Sequence, residues 1–557
     1  MLRFSCIKTR TMSAAMNWSA CVKSPLIMWL NVISHCLKNP MLSSAMGNAW
    51  QHFRAGMPSV PPQGSLRERQ FRWLSACLAA NTACEYGQRY HFSAVTSVAD
   101  YQQNVPLTTY SELSSFITRM TAGEENLLCS APVTAFELTG GSHSGGKLLP
   151  YTSAGLTDFR LAVTGWLRDV TRRFNLTSGH VYWALSPAVT RMTKTPCGIP
   201  VGGGDALYLG ADNLAAFSEL SAVPLTLAQV EDAADWQLLT LIYLLQCPDL
   251  RLISVWSPVF LFPLLTALDT RQAEISALLS DGGEITGHSL SADPAALVRY
   301  RQYLQEQNTA LLWPQLALIS CWDQAASASP AQALMTRFPG VTLQGKGLLS
   351  TEAVITVPSD CGDPQLSADS NFYEFRRDNG QIYLADELLP GETYSVIVTT
   401  NSGLYRYQTD DLVLCTGHTP EGLPQLRFCG REGICSDLVG EKLTESFVCA
   451  GLPPSQDFAV LAADEQGYVL LLSDTCTETQ AQAYCEETEQ YLCTNPQYHY
   501  ARRIGQLKPL TFLRLHQPAE HYFHRQLQRG KRLGEIKIPA LLTSSDWRAM
   551  FEIREFL

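Results

Sequence analysis

Apolar residues recur with two different periods along this chain, and the alternation between them predicts an α/β architecture. From Leu66 to Ala80 the period is helical, with Phe71, Leu74 and Leu78 on one face. Tyr151 to Phe174 reads as a second amphipathic helix. Thr152 or Ser153 caps its start, and Leu156, Phe159, Val163, Trp166 or Leu167, Val170 and Phe174 form its buried stripe. A third helix is expected from Glu231 to Gln246, followed by a strand from Leu250 to Val255. Strand patterns continue at Gln315 to Ser320, Val341 to Leu343, Ala353 to Val357, Tyr373 to Phe375, Ile382 to Leu384, Tyr394 to Thr400 and Leu412 to Thr416, with a helix at Ala331 to Arg337. After Gly430 the texture changes. Charged helical segments (Thr477 to Cys493, Glu520 to Arg529) flank short strands at Ala459 to Ala462, Tyr468 to Leu472 and Leu510 to Leu513. The expected organisation is an N-terminal extension (1–45), a large domain of mixed sheets and helices (46–430) and a small C-terminal α+β domain (431–557).

Bulk properties narrow the class. A chain of 557 residues exceeds what one hydrophobic core usually serves. Apolar residues at 46% and charged residues at 17% describe a globular protein rather than a disordered one. The formal net charge of -11 argues against nucleic acid as a general partner, because phosphate contacts need clustered Lys and Arg. Seventeen cysteines without a C-x-x-C pair read as free thiols of a reducing, cytoplasmic setting. The apolar run from Pro25 to Leu37 is interrupted by Asn31, Ser34 and His35 and is too short to span a bilayer, so no membrane association is expected. His516, His521 and His524 lack a Cys or acidic ligand at zinc-site spacing and read as polar surface. Nothing in the pattern marks an oligomer, and a monomer is the default.

Chemistry concentrates in one loop. Thr139 to Lys147 holds four glycines, three hydroxyls and a lysine. Glycines let backbone N–H groups approach an anion, hydroxyls donate to phosphate oxygens, and a lysine neutralises charge. Gly141 to Lys147 formally fits G-x-x-x-x-G-K, but Leu148 stands where a P-loop requires Ser or Thr, and Pro150 delays the helix. The serines do not form a G-x-S-x-G nucleophile elbow either.

The loop resembles the Ser/Thr/Gly-rich, Lys-ended phosphate loop of acyl-adenylate-forming enzymes. Val255-Trp-Ser-Pro258, Gln344-Gly-Lys-Gly-Leu-Leu-Ser-Thr-Glu352, Thr399 through Asp411 and Asn495 through Leu510 resemble, in the same order, segments of the Gretchen Hagen auxin-responsive family of acyl-acid amido synthetases, bacterial members especially. That resemblance implies a large adenylate-forming domain with a mobile C-terminal lid. It also implies a reaction: ATP, with Mg2+, activates a small carboxylic acid as acyl-AMP, and an amino acid or other amine takes the acyl group.

The resemblance further places Thr139, Gly141, Ser142, His143, Ser144 and Lys147 on the phosphates and the backbone of Gly345 and Gly347 towards adenine. Thr351 falls near the α-phosphate, Glu352 at magnesium and Asp411 on the ribose. Tyr405 shapes the same nucleotide-binding strand, Arg431 lies by the interdomain hinge, and Lys537 becomes the cation that stabilises charge at the α-phosphorus. The loop departs from the family where Gly140 replaces a serine, His143 a threonine and Ser144 a glycine. Two other readings follow from the same residues: transfer of the acyl group to a thiol such as coenzyme A, or a degenerate protein that binds nucleotide or acid without turnover.

Overall fold

A computed structural model describes residues 49–52, 63–138, 147–184, 193–202, 211–360, 362–433, 435–439, 441–453, 458–464, 467–503, 506–529, 536–543 and 547–551. The expected extension (1–45) lies outside these residues.

The amino-terminal helices form where sequence and capping agree. Helix α1 (Leu66–Ala80) starts at a capping box in which Ser65 and Glu68 satisfy each other's backbone N–H groups. Helix α2 (Tyr110–Thr121) starts at another, Thr109 with Glu112. Strands β1 (Val133–Leu138) and β2 (Leu148–Thr152) then run antiparallel and flank the glycine-rich loop. Tyr151 and Thr152, expected at the head of a helix, close β2 instead. Helix α3 (Ser153–Arg173) begins one residue later, with the Thr152 hydroxyl accepting from Gly155 N–H. Its buried positions are Leu156, Ala162, Trp166, Val170 and Thr171. Phe159 and Val163 are only half-buried, so the stripe is narrower than the periodicity suggests.

The next layer is a four-stranded parallel sheet in the order β6-β5-β4-β3. Its members are β3 (His180–Trp183), β4 (Leu250–Ser254), β5 (Leu318–Cys321) and β6 (Thr342–Gly345), and helix α4 (Ala233–Leu245) connects β3 to β4. Burial on both faces explains why the central strands β4 and β5 read as short apolar runs without alternation, whereas the edge strand β6 is half-exposed. A seven-stranded antiparallel sheet follows. At its centre are β7 (Phe372–Arg376), β8 (Thr393–Thr399), β9 (Tyr407–His418) and β10 (Pro424–Arg431). Its inner face packs on α1 and α2 through Leu74, Leu113, Phe116, Phe375, Val396 and Tyr405.

Beyond residue 431 the chain builds a separate sheet. Helix α5 (Glu445–Gly451) precedes β11 (Ala459–Asp464) and β12 (Gly467–Ser473), which pair antiparallel. Helix α6 (Glu478–Leu492) leads to β13 (Thr511–Leu515), parallel to β12, and β14 (Leu541–Leu542) completes the opposite edge. One face has its own core, around Leu461, Leu470, Leu472 and Tyr498. The other, with Phe458, Val460, Leu471 and Trp547, is continuous with the core of the parallel sheet. Among the described residues, no helix is long and apolar enough to cross a membrane.

Candidate active site

The carboxyl ends of parallel strands are where open α/β sheets place ligands, because backbone direction and loop freedom converge there. Four segments meet at that end of the sheet: Ser254 to Trp256 after β4, Ser320 to Asp323 after β5, Gly345 to Gly347 after β6, and Trp183 of β3. The backbone at Gly345 passes so close to the Asp323 carboxylate that a Cβ there would lie 2.2 Å from its oxygen. Gly347 has φ +72° and turns directly against the carbonyl of Thr356, a conformation that favours glycine. Burial pushes the Asp323 carboxyl up to about 6.

Residues distant in sequence converge beside these turns. Asp411 is 2% exposed. Its Oδ1 accepts from Arg431 Nε at 3.1 Å across the β9–β10 ladder, where the two residues are register partners. Its Oδ2 is buried and has no hydrogen-bond partner among the described residues. Glu352 lies close enough to feel Asp411: burial first and that like charge second raise its carboxyl above the usual range, while Arg431 pulls it back. Asp411 is the largest influence raising the Arg431 guanidinium.

Lys537 enters from the C-terminal segment. Its ammonium sits 4.2 Å from the centre of the Trp322 ring and 5.9 Å from that of Phe428. The residue as a whole is exposed, while its ammonium packs against these two rings. Burial by these neighbours pushes it down to about 8, against the pull of Asp411, Glu352 and Glu445. The Ala540 N–H donates to Glu445 at 3.1 Å, which ties this segment to the first turn of α5.

Lys147, the last residue of the glycine-rich loop, reaches the same region. Its ammonium lies 5.6 Å from the Tyr110 ring centre and acts on Asp410, the neighbour of Asp411. The next residue, Leu148, opens β2 rather than a helix, consistent with rejecting a P-loop. Thr351 is held beside them, its carbonyl accepting from the Tyr151 hydroxyl. Thus Lys147, Gly345, Gly347, Thr351, Glu352, Asp411, Arg431 and Lys537 gather around one end of the sheet. Thr139, Gly141, Ser142, His143 and Ser144 lie outside the described residues.

Tyr405 is not among the gathered residues, and its expected place with the nucleotide-binding positions is corrected. It is fully buried, its ring stacks on Tyr86 at 5.1 Å, and its hydroxyl donates to the carbonyl of Leu128. Arg406 is likewise a pillar. Its guanidinium forms a two-pronged pair with Glu374 at 2.9 and 3.0 Å and donates to the carbonyls of Gln102 and Val105. This brace holds residue 406 at φ +47° and lets the chain turn towards Asp410, at φ +62°, and Asp411.

The structure adds a feature the sequence did not reveal. Lys346, between the two glycines, is 5% exposed and donates to Ser254 Oγ at 2.7 Å. Its ammonium lies 5.0 Å from the Trp166 ring centre and 5.3 Å from those of Trp183 and Trp256. Three aromatic faces on one cation form a rigid wall against the site. Trp256 is half-buried and part of this wall. Only the fold brings together α3, β3, the end of β4 and the turn after β6, so no linear motif could announce it.

The chain is similar to several known proteins. Residues 65–343 match the GH3 family N-terminal domain and residues 365–431 the GH3 family central domain. The chain is 23% identical over 418 residues to the probable indole-3-acetic acid-amido synthetase GH3.1 of Arabidopsis thaliana, covering 67% of this chain and 68% of that one. It is 22% identical over 465 residues to the indole-3-acetic acid-amido synthetase GH3.3 of Arabidopsis thaliana, covering 74% of each. In fold it is similar to the AtGH3.15 acyl acid amido synthetase in complex with 2,4-DB, with a TM-score of 0.76 at 18% identity over 92% of this chain and 96% of that one. It is more distantly similar to a 2-hydroxyisobutyryl-CoA ligase in the postadenylation state, with a TM-score of 0.52 at 11% identity over 89% and 96%.

Proposed function

We propose, from the premise that this chain belongs to the GH3 family, that it is an ATP-dependent ligase joining a small carboxylic acid to an amino acid or related amine through an acyl-AMP intermediate. The observation that carries the proposal is the convergence of Lys147, Glu352, Asp411, Arg431 and Lys537, two carboxylates and three cations, at the carboxyl end of the parallel sheet. Residues 46–430 act as the adenylating domain and 431–557 as the lid. Every described cysteine is a free thiol, which fits work in the cytoplasm.

Asp411 is suited to a ribose. One oxygen is fixed by Arg431, and the other is a buried acceptor that a sugar hydroxyl would satisfy. Lys147 and the hydroxyl-and-glycine loop, Thr139, Gly141, Ser142, His143 and Ser144, hold the phosphates. Glu352 offers a hard oxygen donor that would hold Mg2+, which when bound would neutralise charge on the triphosphate. The carboxylate of the acid attacks the α-phosphorus and pyrophosphate leaves. Lys537, protonated, stabilises the charge that accumulates on the phosphoryl oxygens. The amine then attacks the acyl carbon and AMP departs. No protein nucleophile is needed. Alignment and water exclusion are the enzyme's contribution, since acyl-AMP is prone to hydrolysis.

Acid-dependent release of pyrophosphate from ATP tests this reading, with AMP and an amide forming when an amino acid is added. Turnover stimulated by coenzyme A instead of an amine would transfer the chain to the thioester class. Absence of ATP binding by calorimetry would make it a non-catalytic relative.

A further inference from the structure

The opposite, amino-terminal end of the parallel sheet carries a second chemical cluster. His180 opens β3, and Cys247-Pro248-Asp249 forms the loop that delivers the chain from α4 into β4. The three side chains are 67 and 2 positions apart in sequence, which no linear spacing rule for metal ligands covers. The parallel ladder pairs His180 with Leu250 and brings them together. His180 Nδ1 lies 3.0 Å from Asp249 Oδ1, and Cys247 Sγ lies 3.3 Å from the same oxygen. One ligand atom from each residue falls within 4.8 Å of the other two.

We propose that His180, Cys247 and Asp249 form a binding site for one divalent ion of the zinc class, separate from the nucleotide cleft. Bonds of about 2.0–2.3 Å to a tetrahedral zinc place ligand atoms roughly 3.3–3.7 Å apart, so the contacts of His180 and Cys247 with Asp249 Oδ1, at 3.0 and 3.3 Å, must each open by only a few tenths of an ångström to admit the ion. An imidazole, a thiolate and a carboxylate carry two negative charges, which a divalent cation neutralises. The nitrogen and sulfur donors favour zinc over magnesium or calcium. Water takes the fourth position. Burial and the neighbouring Asp249 carboxylate hold the Cys247 thiol protonated in the empty site, so binding must displace that proton to solvent.

The scaffold is already rigid on both sides. The His180 N–H donates to the Asp249 carbonyl at 3.1 Å, and Trp50 Nε1 donates to the Gly179 carbonyl at 2.8 Å. Gly179, at φ +82°, has the Asp249 carbonyl where a Cβ would stand, so the two segments are in the closest contact a backbone permits. Cys247 is 7% exposed, whereas the His180 and Asp249 side chains are 29% and 36% exposed. An ion therefore enters from the His–Asp side and finds the sulfur beneath. The site lies a full strand length, roughly 13 Å, from the cleft end of β3 and β4. Its role is to clamp the head of β3 to the head of β4.

The test uses the full chain, stripped of metal by chelation, and Co2+ as the probe. One equivalent of Co2+ should produce a thiolate-to-metal absorption band and tetrahedral visible bands, and Zn2+ should abolish both. Cys247→Ser should remove the thiolate band. Asp249→Asn, which preserves shape and one acceptor, should weaken Co2+ binding at least about tenfold while the protein remains folded by circular dichroism. Absence of a thiolate band, or an unaltered band in Cys247→Ser, would leave these residues a metal-free hydrogen-bonded latch and overturn the site. None of these readouts depends on ligase activity, so they stand or fall apart from the proposed reaction.

Discussion

Single side chains divide sharply between those that prepare charge and those that hold the backbone. Asp411 and Lys537 belong to the first group, and they act at different moments. Asp411→Ala removes the ribose acceptor, so ATP affinity should fall at least tenfold by calorimetry. Unchanged affinity would remove Asp411 from the site. Lys537→Ala should instead slow pyrophosphate release about 10²–10³-fold with little change in ATP binding. The active form of Lys537 is protonated, and its ammonium is pushed down to about 8. Activity should therefore hold below pH 8 and decline as pH rises through that value, and a flat profile up to pH 10 would exclude the ammonium. Glu374 belongs to the second group. With both partners of the Arg406 pair almost fully buried, Glu374→Ala strands a guanidinium and should cost about 3–5 kcal/mol of stability. Glu352 and Asp411 stand out in the sequence because each sits in a recognisable motif, and the fold brings them close enough to interact. Tyr405 was misread because a motif records proximity along the chain, not the direction in which a side chain points. Lys346 and Trp256 lie inside two of the quoted motifs, but their meeting with Trp166 and Trp183 left no trace, since the four segments are far apart in the chain.

Elements were read well where local chemistry and burial agree, and less well where tertiary pairing decides. Helix α1 and helix α6 have the expected bounds to within a residue, because Ser65 with Glu68 and Thr477 with Gln480 spell out their capping boxes. The start of α3 was placed too early. Tyr151 and Thr152 have helical neighbours, but the β1–β2 ladder claims both. Likewise β9 runs for twelve residues, from Tyr407 to His418, although only Leu412 to Thr416 alternates clearly. Its ends are held by β8 and β10 rather than by its own composition. The junction of β2 and α3 offers a direct test. A Cβ on Gly155 would lie 2.1 Å from the Ser402 hydroxyl, whose oxygen accepts from the Thr152 N–H. Gly155→Ala favours the helix intrinsically but must displace Ser402. A net destabilisation of about 1–3 kcal/mol is expected in a thermal or urea melt. Relief by Ser402→Gly in the double mutant would locate the clash, and a stabilised Gly155→Ala would show that intrinsic propensity prevails.

At the scale of the whole molecule, the question is how a lysine more than a hundred residues beyond the nucleotide-binding strand is delivered to it. The answer runs through α5. This helix packs on β10 of the large domain and on β14 of the C-terminal sheet. Its first residue, Glu445, accepts from Ala540 N–H and lends negative charge to Lys537. Fold class and the C-terminal change of texture were visible in the sequence. This coupling was not, because Glu445 acts only through a segment ninety-five positions away. Two substitutions separate its two effects. Glu445→Gln keeps a carbonyl oxygen for Ala540 but removes a charge that raises the Lys537 pKa. The alkaline limb of the pyrophosphate-release profile should therefore move below its wild-type position near pH 8, with the maximal rate preserved. Glu445→Ala also removes the acceptor and loosens the segment, so kcat should fall while the KM for ATP, set by residues of the large domain, stays unchanged. An unshifted limb in Glu445→Gln would show that Lys537 is tuned by its burial, Arg431 and the cleft carboxylates alone. A KM effect as large as the kcat effect in Glu445→Ala would show that α5 shapes the nucleotide site itself rather than the approach of the lysine.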